Sequence, residues 1–304
     1  MNATAGMKGG PRWDREGRDW PNRATSRFVQ AGPMRWHVQS VGPDDAPVMM
    51  LLHGTGAATH SWRDLAPILA AGYRVIAPDL PGHGFTAGRP PGGLTMAAMA
   101  GATGDLIRAL DCAPAIIVGH SAGAAIAIRM VLDGIAAPRA IVGLGAALLP
   151  IPGLAGVLFP SLARMLFVNP LAPHLFARMA RTPGETARFL ARSTGSRIDA
   201  PGIACYERLF ATSGHCAGAI GMMAAWDLPG LRRDLARHPG LAGVPLLLVH
   251  GAGDAAIALA DARAAAALTQ ARLVELPGLG HLAHEEQPGE IAGLITGFAT
   301  EVIA

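Results

Sequence analysis

Three residues in this chain have the types and the spacing to open an ester bond. Ser121 stands in Gly119-His120-Ser121-Ala122-Gly123, directly after the apolar run Ala115-Ile116-Ile117-Val118 and directly before a helix-like stretch from Ala124 to Leu132. That predicts strand, sharp turn and helix, with a serine at the apex. Glycine is needed on either side because a turn this tight leaves no room for a side chain. A serine hydroxyl is a weak nucleophile until an imidazole takes its proton, and the imidazole needs a carboxylate to fix its tautomer. Asp254 ends the apolar run Leu246-Leu247-Leu248-Val249, and His281 follows the turn Pro277-Gly278-Leu279-Gly280. Two alternatives stay open. Asp254 is also well placed to cap a helix-like stretch from Ala255 to Leu268. His284 competes with His281, although the Pro-Gly-Leu-Gly turn favours the first of the two.

Two further segments extend the pattern. Val48-Met49-Met50-Leu51-Leu52 reads as a buried strand and runs into His53-Gly54-Thr55-Gly56, which resembles an H-G-x-G oxyanion loop. Val75 to Gly84 contains Asp79-Leu80-Pro81-Gly82-His83-Gly84, similar to the D-x-P-G-x-G turn of the same superfamily. With G-x-S-x-G and the chain order Ser, Asp, His, the sequence resembles the α/β-hydrolases. The resemblance implies a mostly parallel eight-stranded sheet with helices on both faces and an inserted helical lid. It also implies roles: Ser121 as nucleophile, His281 as proton shuttle, Asp254 as its orienting acid, and the backbone N–H groups of Thr55 and Ala122 as oxyanion hole. Trp62, Phe85, His120 and Trp226 are the candidate substrate-lining residues. His53 and His83 read as structural, and Asp79 as the pin of its turn. Phe85-Thr86 departs from the serine common after this turn, which weakens any transfer of substrate from other esterases.

A narrower resemblance covers nearly the whole chain. It rests on Glu16 to Arg23, Met34 to Gln39, His53 to Arg63, Gly119 to Ile126, Thr194-Gly195-Ser196 and Met222 to Leu228. These segments are similar to the magnesium-chelatase accessory branch of bacteriochlorophyll biosynthesis. This implies a hydrolase acting in or accessory to magnesium insertion, with a small ester or porphyrin-type substrate and magnesium chelatase as a partner. Two other readings remain open: a non-catalytic porphyrin- or chelatase-binding accessory protein, and a carboxylesterase unrelated to pigment.

The elements that must position these groups follow from pattern. A hairpin is expected over Arg27–Ala31 and Met34–Ser40, a short helix over Trp62–Leu69, strands at Arg74–Ala77, Ala140–Leu144 and Arg272–Leu276, and helices at Thr95–Leu110 and Gly289–Ile303. About a hundred residues separate the sixth strand from the seventh, far more than a plain crossover needs. We therefore expect a core over 1–147 and 227–304, with a polar extension at 1–25, and a lid over 148–226. The lid carries Arg164, Arg178, Arg181, Arg188, Arg192 and Arg197 at helical intervals, and its apolar walls with forking arginines would suit a macrocycle bearing carboxylates.

Composition narrows the classes. Hydrophobic residues make up 51% of the 304 and charged residues only 15%, with a net charge of +3. No dense basic run points to nucleic acid. The three cysteines have no metal-ligand spacing, and no metal or cofactor is expected. The N-terminus lacks an apolar leader core, which suggests a cytoplasmic protein. The uncharged stretch Ala140–Ala163 is long enough to span a bilayer but is broken by Pro150, Pro152 and Pro160, so it is expected to be a strand and the lid entry. Peripheral membrane contact stays open.

Overall fold

The computed structural model describes residues 8–150, 169, 171–238 and 241–303. Eight strands form one sheet: β1 (Ser26–Ala31), β2 (Met34–Val41), β3 (Val48–Leu52), β4 (Arg74–Pro78), β5 (Ile116–His120), β6 (Ala140–Leu144), β7 (Leu246–Gly251) and β8 (Arg272–Leu276). Their order is β1-β2-β4-β3-β5-β6-β7-β8. The β1–β2 and β2–β4 pairs are antiparallel and the other five are parallel. The chain order reverses at β3, between β4 and β5. Open α/β sheets form their ligand crevice beyond the carboxyl ends of the strands at such a point.

The central strands read as unbroken apolar runs because both of their faces are covered. β5, β6 and β7 are buried at every residue. Alternate side chains feed two layers. Met50, Leu52, Ile117, Ile141 and Leu248 pack with helices α2 (Met96–Ala109) and α3 (Ala122–Leu132). Met49, Leu51, Val118, Val142 and Val249 pack on the other side, against α1 (Leu65–Leu69) and the last helix. Each such side chain contributes about 1.5–3 kcal/mol by leaving water, so a slip of one residue in any strand would invert both layers.

Between β6 and β7 the chain leaves the sheet for α4 (Ala172–Met179), α5 (Glu185–Thr194), α6 (Ala200–Phe210), α7 (Ser213–Ala225) and α8 (Leu228–Arg237). Residues 151–168 of the expected lid, including Arg164, lie outside the described residues. After β7 come α9 (Leu259–Thr269), α10 (Ala283–Glu286) and α11 (Pro288–Ile303). Two local expectations need correction. The helix expected from Ala255 begins only at Leu259, capped by Ala258. The helix expected over Trp62–Leu69 splits into a 3-10 turn, Thr59–Trp62, and α1. Among the described residues no helix is long and apolar enough to cross a membrane.

The extension before β1 is less polar in its contacts than in its composition. Trp20 is buried, donates Nε1–H to Thr59 Oγ1 at 2.9 Å, and meets Phe85 edge-on. Asp19 takes both terminal nitrogens of Arg208 on α6, at 2.6 and 2.7 Å. This strap fastens α6 to the sheet.

Candidate active site

Ser121 adopts φ 51° and ψ −111°, a left-handed conformation that costs a non-glycine residue roughly 1–3 kcal/mol. Its surroundings enforce this. The Ser121 amide donates to Leu144 O of β6 at 2.8 Å, and its carbonyl accepts Ala147 N at 3.2 Å. A Cβ on Gly123 would overlap the Leu52 carbonyl at the end of β3, and one on Gly119 would overlap the backbone of Ala124. The two flanking glycines thus let the amino end of α3 press against β3, with the serine at the crest.

The same approach brings the β3 loop over the serine. A Cβ on Gly54 would lie 3.1 Å from Ser121 Cβ. Thr55, the next residue, has a backbone N–H without an acceptor among the described residues. Ala122 opens α3, where amides have no intrahelical acceptor.

Asp254 and His281 meet. His281 Nδ1 lies 2.7 Å from Asp254 Oδ2, whose side chain is fully buried. Asp254 Oδ1 accepts the amides of Ala256 and Ile257 at 2.7 and 2.9 Å. The two sequence readings of this aspartate each describe one oxygen: one pins a turn, though it caps no helix, and the other faces the imidazole. Among the described residues no hydrogen bond joins Ser121 Oγ to His281. In unliganded hydrolytic sites this link is often long and tightens with substrate.

His284 occupies a different environment. Its Nε2 lies 2.8 Å from Ser61 Oγ, and Ser61 donates to Glu285 Oε1 at 2.6 Å. Burial, then the charges of His281 and Arg63, push its pKa down to about 3. It is a neutral imidazole facing a hydroxyl, whereas His281 faces a carboxylate. Between them lies His120, which donates Nε2–H to the His281 carbonyl at 3.0 Å and has its ring 4.7 Å from that of His281 and 4.5 Å from that of His284. Burial also holds the His120 pKa well below the ordinary range. His53 Nε2 accepts the Leu80 amide, and Asp79 accepts the amides of Thr59 and Phe85, so both organise turns.

Of the expected substrate-lining residues, Trp62 is fully enclosed in the layer under α1 and α11 and offers no surface to a ligand. Phe85 is buried against Trp20 and α6, and His120 is 3% exposed. Trp226 is half-buried against the layer under α2 and α3. A cavity of about 250 Å³ instead opens between Ala146–Leu149 and Ala255–Ala258, with Asp261 as its one charged residue.

Sequence reasoning missed two groups that hold the site. The first is Thr194-Gly195-Ser196, noted only for resemblance. The Thr194 carbonyl accepts His281 N at 2.8 Å and Ala255 N at 3.3 Å, and Ser196 Oγ accepts Leu282 N at 2.8 Å. One corner at the end of α5 therefore bolts together the loops carrying Asp254 and His281. The sequence signal was a helix-ending glycine, with φ +70°; its partners were not readable. The second is Glu285, fully buried, which takes Arg63 Nη1 at 2.7 Å and Tyr206 OH at 2.8 Å besides Ser61. Burial raises its pKa against the pull of Arg63. Arg63 continues to Asp199 at the start of α6, at 2.8 Å.

Among the described residues no group of three or more His, Cys, Asp or Glu could hold a metal ion. Cys205 and Cys216 are buried, with thiol pKa values pushed up to about 11, so neither competes as a nucleophile.

Residues 49–294 match the model of the alpha/beta hydrolase family. The chain is 41% identical over 278 residues to the magnesium-chelatase 30 kDa subunit of Rhodobacter capsulatus, covering 91% of this chain and 95% of that protein. It is 27% identical over 325 residues to epoxide hydrolase A of Mycobacterium tuberculosis, covering 91% and 97%. An α/β-hydrolase-fold protein from Burkholderia ambifaria superposes with a TM-score of 0.72 at 21% identity, covering 90% and 97%, a likeness of fold alone.

Proposed function

This chain belongs to the α/β-hydrolase family, and from that premise we propose that it is a serine hydrolase with Ser121, His281 and Asp254 as its triad. The observation that carries the reading is the 2.7 Å Asp254–His281 bond beside a strained serine at the switch point of the sheet. In this mechanism Ser121 Oγ attacks the ester carbonyl and His281 Nε2 takes its proton. The new charge on the carbonyl oxygen is met by the Thr55 and Ala122 amides, and Asp254 stabilises the imidazolium. His281 then protonates the departing alkoxide. Water, deprotonated by the same imidazole, cleaves the acyl-serine and restores the enzyme.

The place of that chemistry is magnesium insertion in bacteriochlorophyll biosynthesis, with magnesium chelatase as partner. Support comes from the 41% identity to a protein named as a chelatase subunit, spread over 91% of this chain. A second reading, a non-catalytic accessory that binds chelatase or porphyrin, is favoured by that relative's name.

A fluorophosphonate separates the two. It should label the wild-type protein at Ser121 and leave Ser121→Ala unmodified, with turnover of short p-nitrophenyl esters falling at least about a thousandfold. An unlabelled wild type would favour the accessory role, and labelling of both forms would refute the assignment of the nucleophile.

A further inference from the structure

Helix α4 is turned inside out. A surface helix normally buries its large apolar side chains and exposes its small or polar ones. Here the buried residues are Ala172 and Ala177, while Leu175, Phe176 and Met179, with Leu171 just before them, are 59%, 40%, 51% and 70% exposed. Those four and Phe189 on α5 are five of the six large hydrophobic residues exposed among the described residues. Large apolar groups gathered in one region and left in water mark a contact surface.

The charge around this helix is equally uneven. Residues 171–197 hold five arginines (Arg178, Arg181, Arg188, Arg192 and Arg197) and one acid, Glu185, a sum of 5 − 1 = +4. The whole chain carries +3, so the rest sums to 3 − 4 = −1. Arg178 and Arg192 make no ion pair among the described residues, and Arg188 has only Glu185, one turn away. The chain's surplus positive charge is therefore concentrated in the helices that expose its apolar groups.

We propose that α4 is a docking element for an anionic lipid surface, with Leu171, Leu175, Phe176 and Met179 entering the headgroup–acyl boundary and the neighbouring arginines meeting lipid phosphates. The pairing of apolar anchors with cations is what interfacial helices use. A protein partner fits less well. The helix has eight residues, far fewer than the roughly 20–30 residues a side of a standard interface, whereas a fluid lipid surface needs no shape match. The inference is independent of the triad.

The test is flotation of the full chain with vesicles of equal parts phosphatidylglycerol and phosphatidylcholine, against vesicles of phosphatidylcholine alone. Binding is expected only to the anionic vesicles, with loss at 0.5 M salt as screening requires. The variant Leu175→Ser/Phe176→Ser should bind about tenfold less or weaker still, and so should Arg178→Glu/Arg192→Glu. All four side chains are exposed, so the thermal midpoint should stay close to that of wild type; a variant that unfolds is replaced by Met179→Ser. Failure of wild type to float overturns the proposal, as does equal binding by the serine variant. A wild type that does not float but is dimeric by light scattering, with a monomeric serine variant, assigns the face to a second copy and also overturns it.

Discussion

Two parts of the inserted helices behave in opposite ways. At the carboxyl end of α5, the Thr194 carbonyl and the Ser196 hydroxyl bond the loops of Asp254 and His281, and Gly195 is pressed onto Gly253 so closely that a Cβ would overlap its carbonyl. At α4, two turns of helix bury only alanines and hold their apolar side chains in water. One is part of the scaffold of the candidate triad; the other packs on α7 and leaves its large apolar side chains outside. The insertion is thus not a uniform flap. Opening it as a rigid unit would tear the Thr194 and Ser196 bonds from the histidine loop.

The sharpest challenge to this contrast is substitution within the scaffold itself. Asp254→Asn keeps an oxygen for the Ala256 and Ile257 amides but loses the negative charge facing His281. We expect ester turnover to fall about ten thousandfold while the fold survives, as for other triads; activity within tenfold of wild type would separate Asp254 from the chemistry. Glu285→Ala should act on stability instead. It strands the buried guanidinium of Arg63, a change of about 3–5 kcal/mol by urea denaturation. A loss below about 1 kcal/mol would mean that Arg63 finds enough support in Asp64 and Asp199.

Acid tests the same region. The folded pKa values of His284 and of His215, which lies on α7 with its Nε2 2.9 Å from the Gly56 carbonyl, are depressed from 6.5 to about 3 and about 4 by burial. Unfolded chains bind these protons as pH falls through 6.5 and the folded protein does not, so stability is full above 6.5 and declines toward pH 4. The slope reaches about 1.4 kcal/mol per pH unit for each histidine. Glu285, raised from 4.5, opposes this, because its share of stability is lost as pH rises through its folded pKa. His53, His60, His83, His120 and His250 are depressed by burial as well, so these seven histidines outweigh Glu285 and the melting temperature should drop between pH 7 and pH 5; a rise would point to protonation of Glu285 as the larger effect. The mildest probe is Ser196→Ala. It leaves the Leu282 amide without its acceptor, worth about 1–3 kcal/mol, and should lower kcat more than it changes KM. An unchanged kcat would show that the α5 corner supports the fold but not the geometry of His281.

Much of this was legible in the chain. Ala140–Leu144 and Arg272–Leu276 emerge with their expected limits, the first as a continuous apolar run buried in the sheet and the second as an edge strand of mixed polarity. The glycines at 119 and 123 announced a crowded turn, and the crowding is there. The helix expected from Ala255 starts four residues late because Asp254 spends its Oδ1 on a tight turn, a local competition that helical periodicity does not register. Trp62 was expected at the substrate and lies instead behind His284, at 4.7 Å between rings; an aromatic near a motif carries no mark of the face it will take.

By itself the sequence determined what depends on neighbours along the chain: the strand runs, the elbow, the order of the serine, acid and histidine, and the family these belong to. Tertiary structure alone decided which histidine meets the carboxylate, which turn locks the two loops together, and which helix faces outward with its apolar side. These choices rest on contacts between residues far apart in sequence, as in Ser61 with Glu285 or Thr194 with His281. The energy of such a contact depends on burial and distance, and neither is encoded in the spacing of residue types.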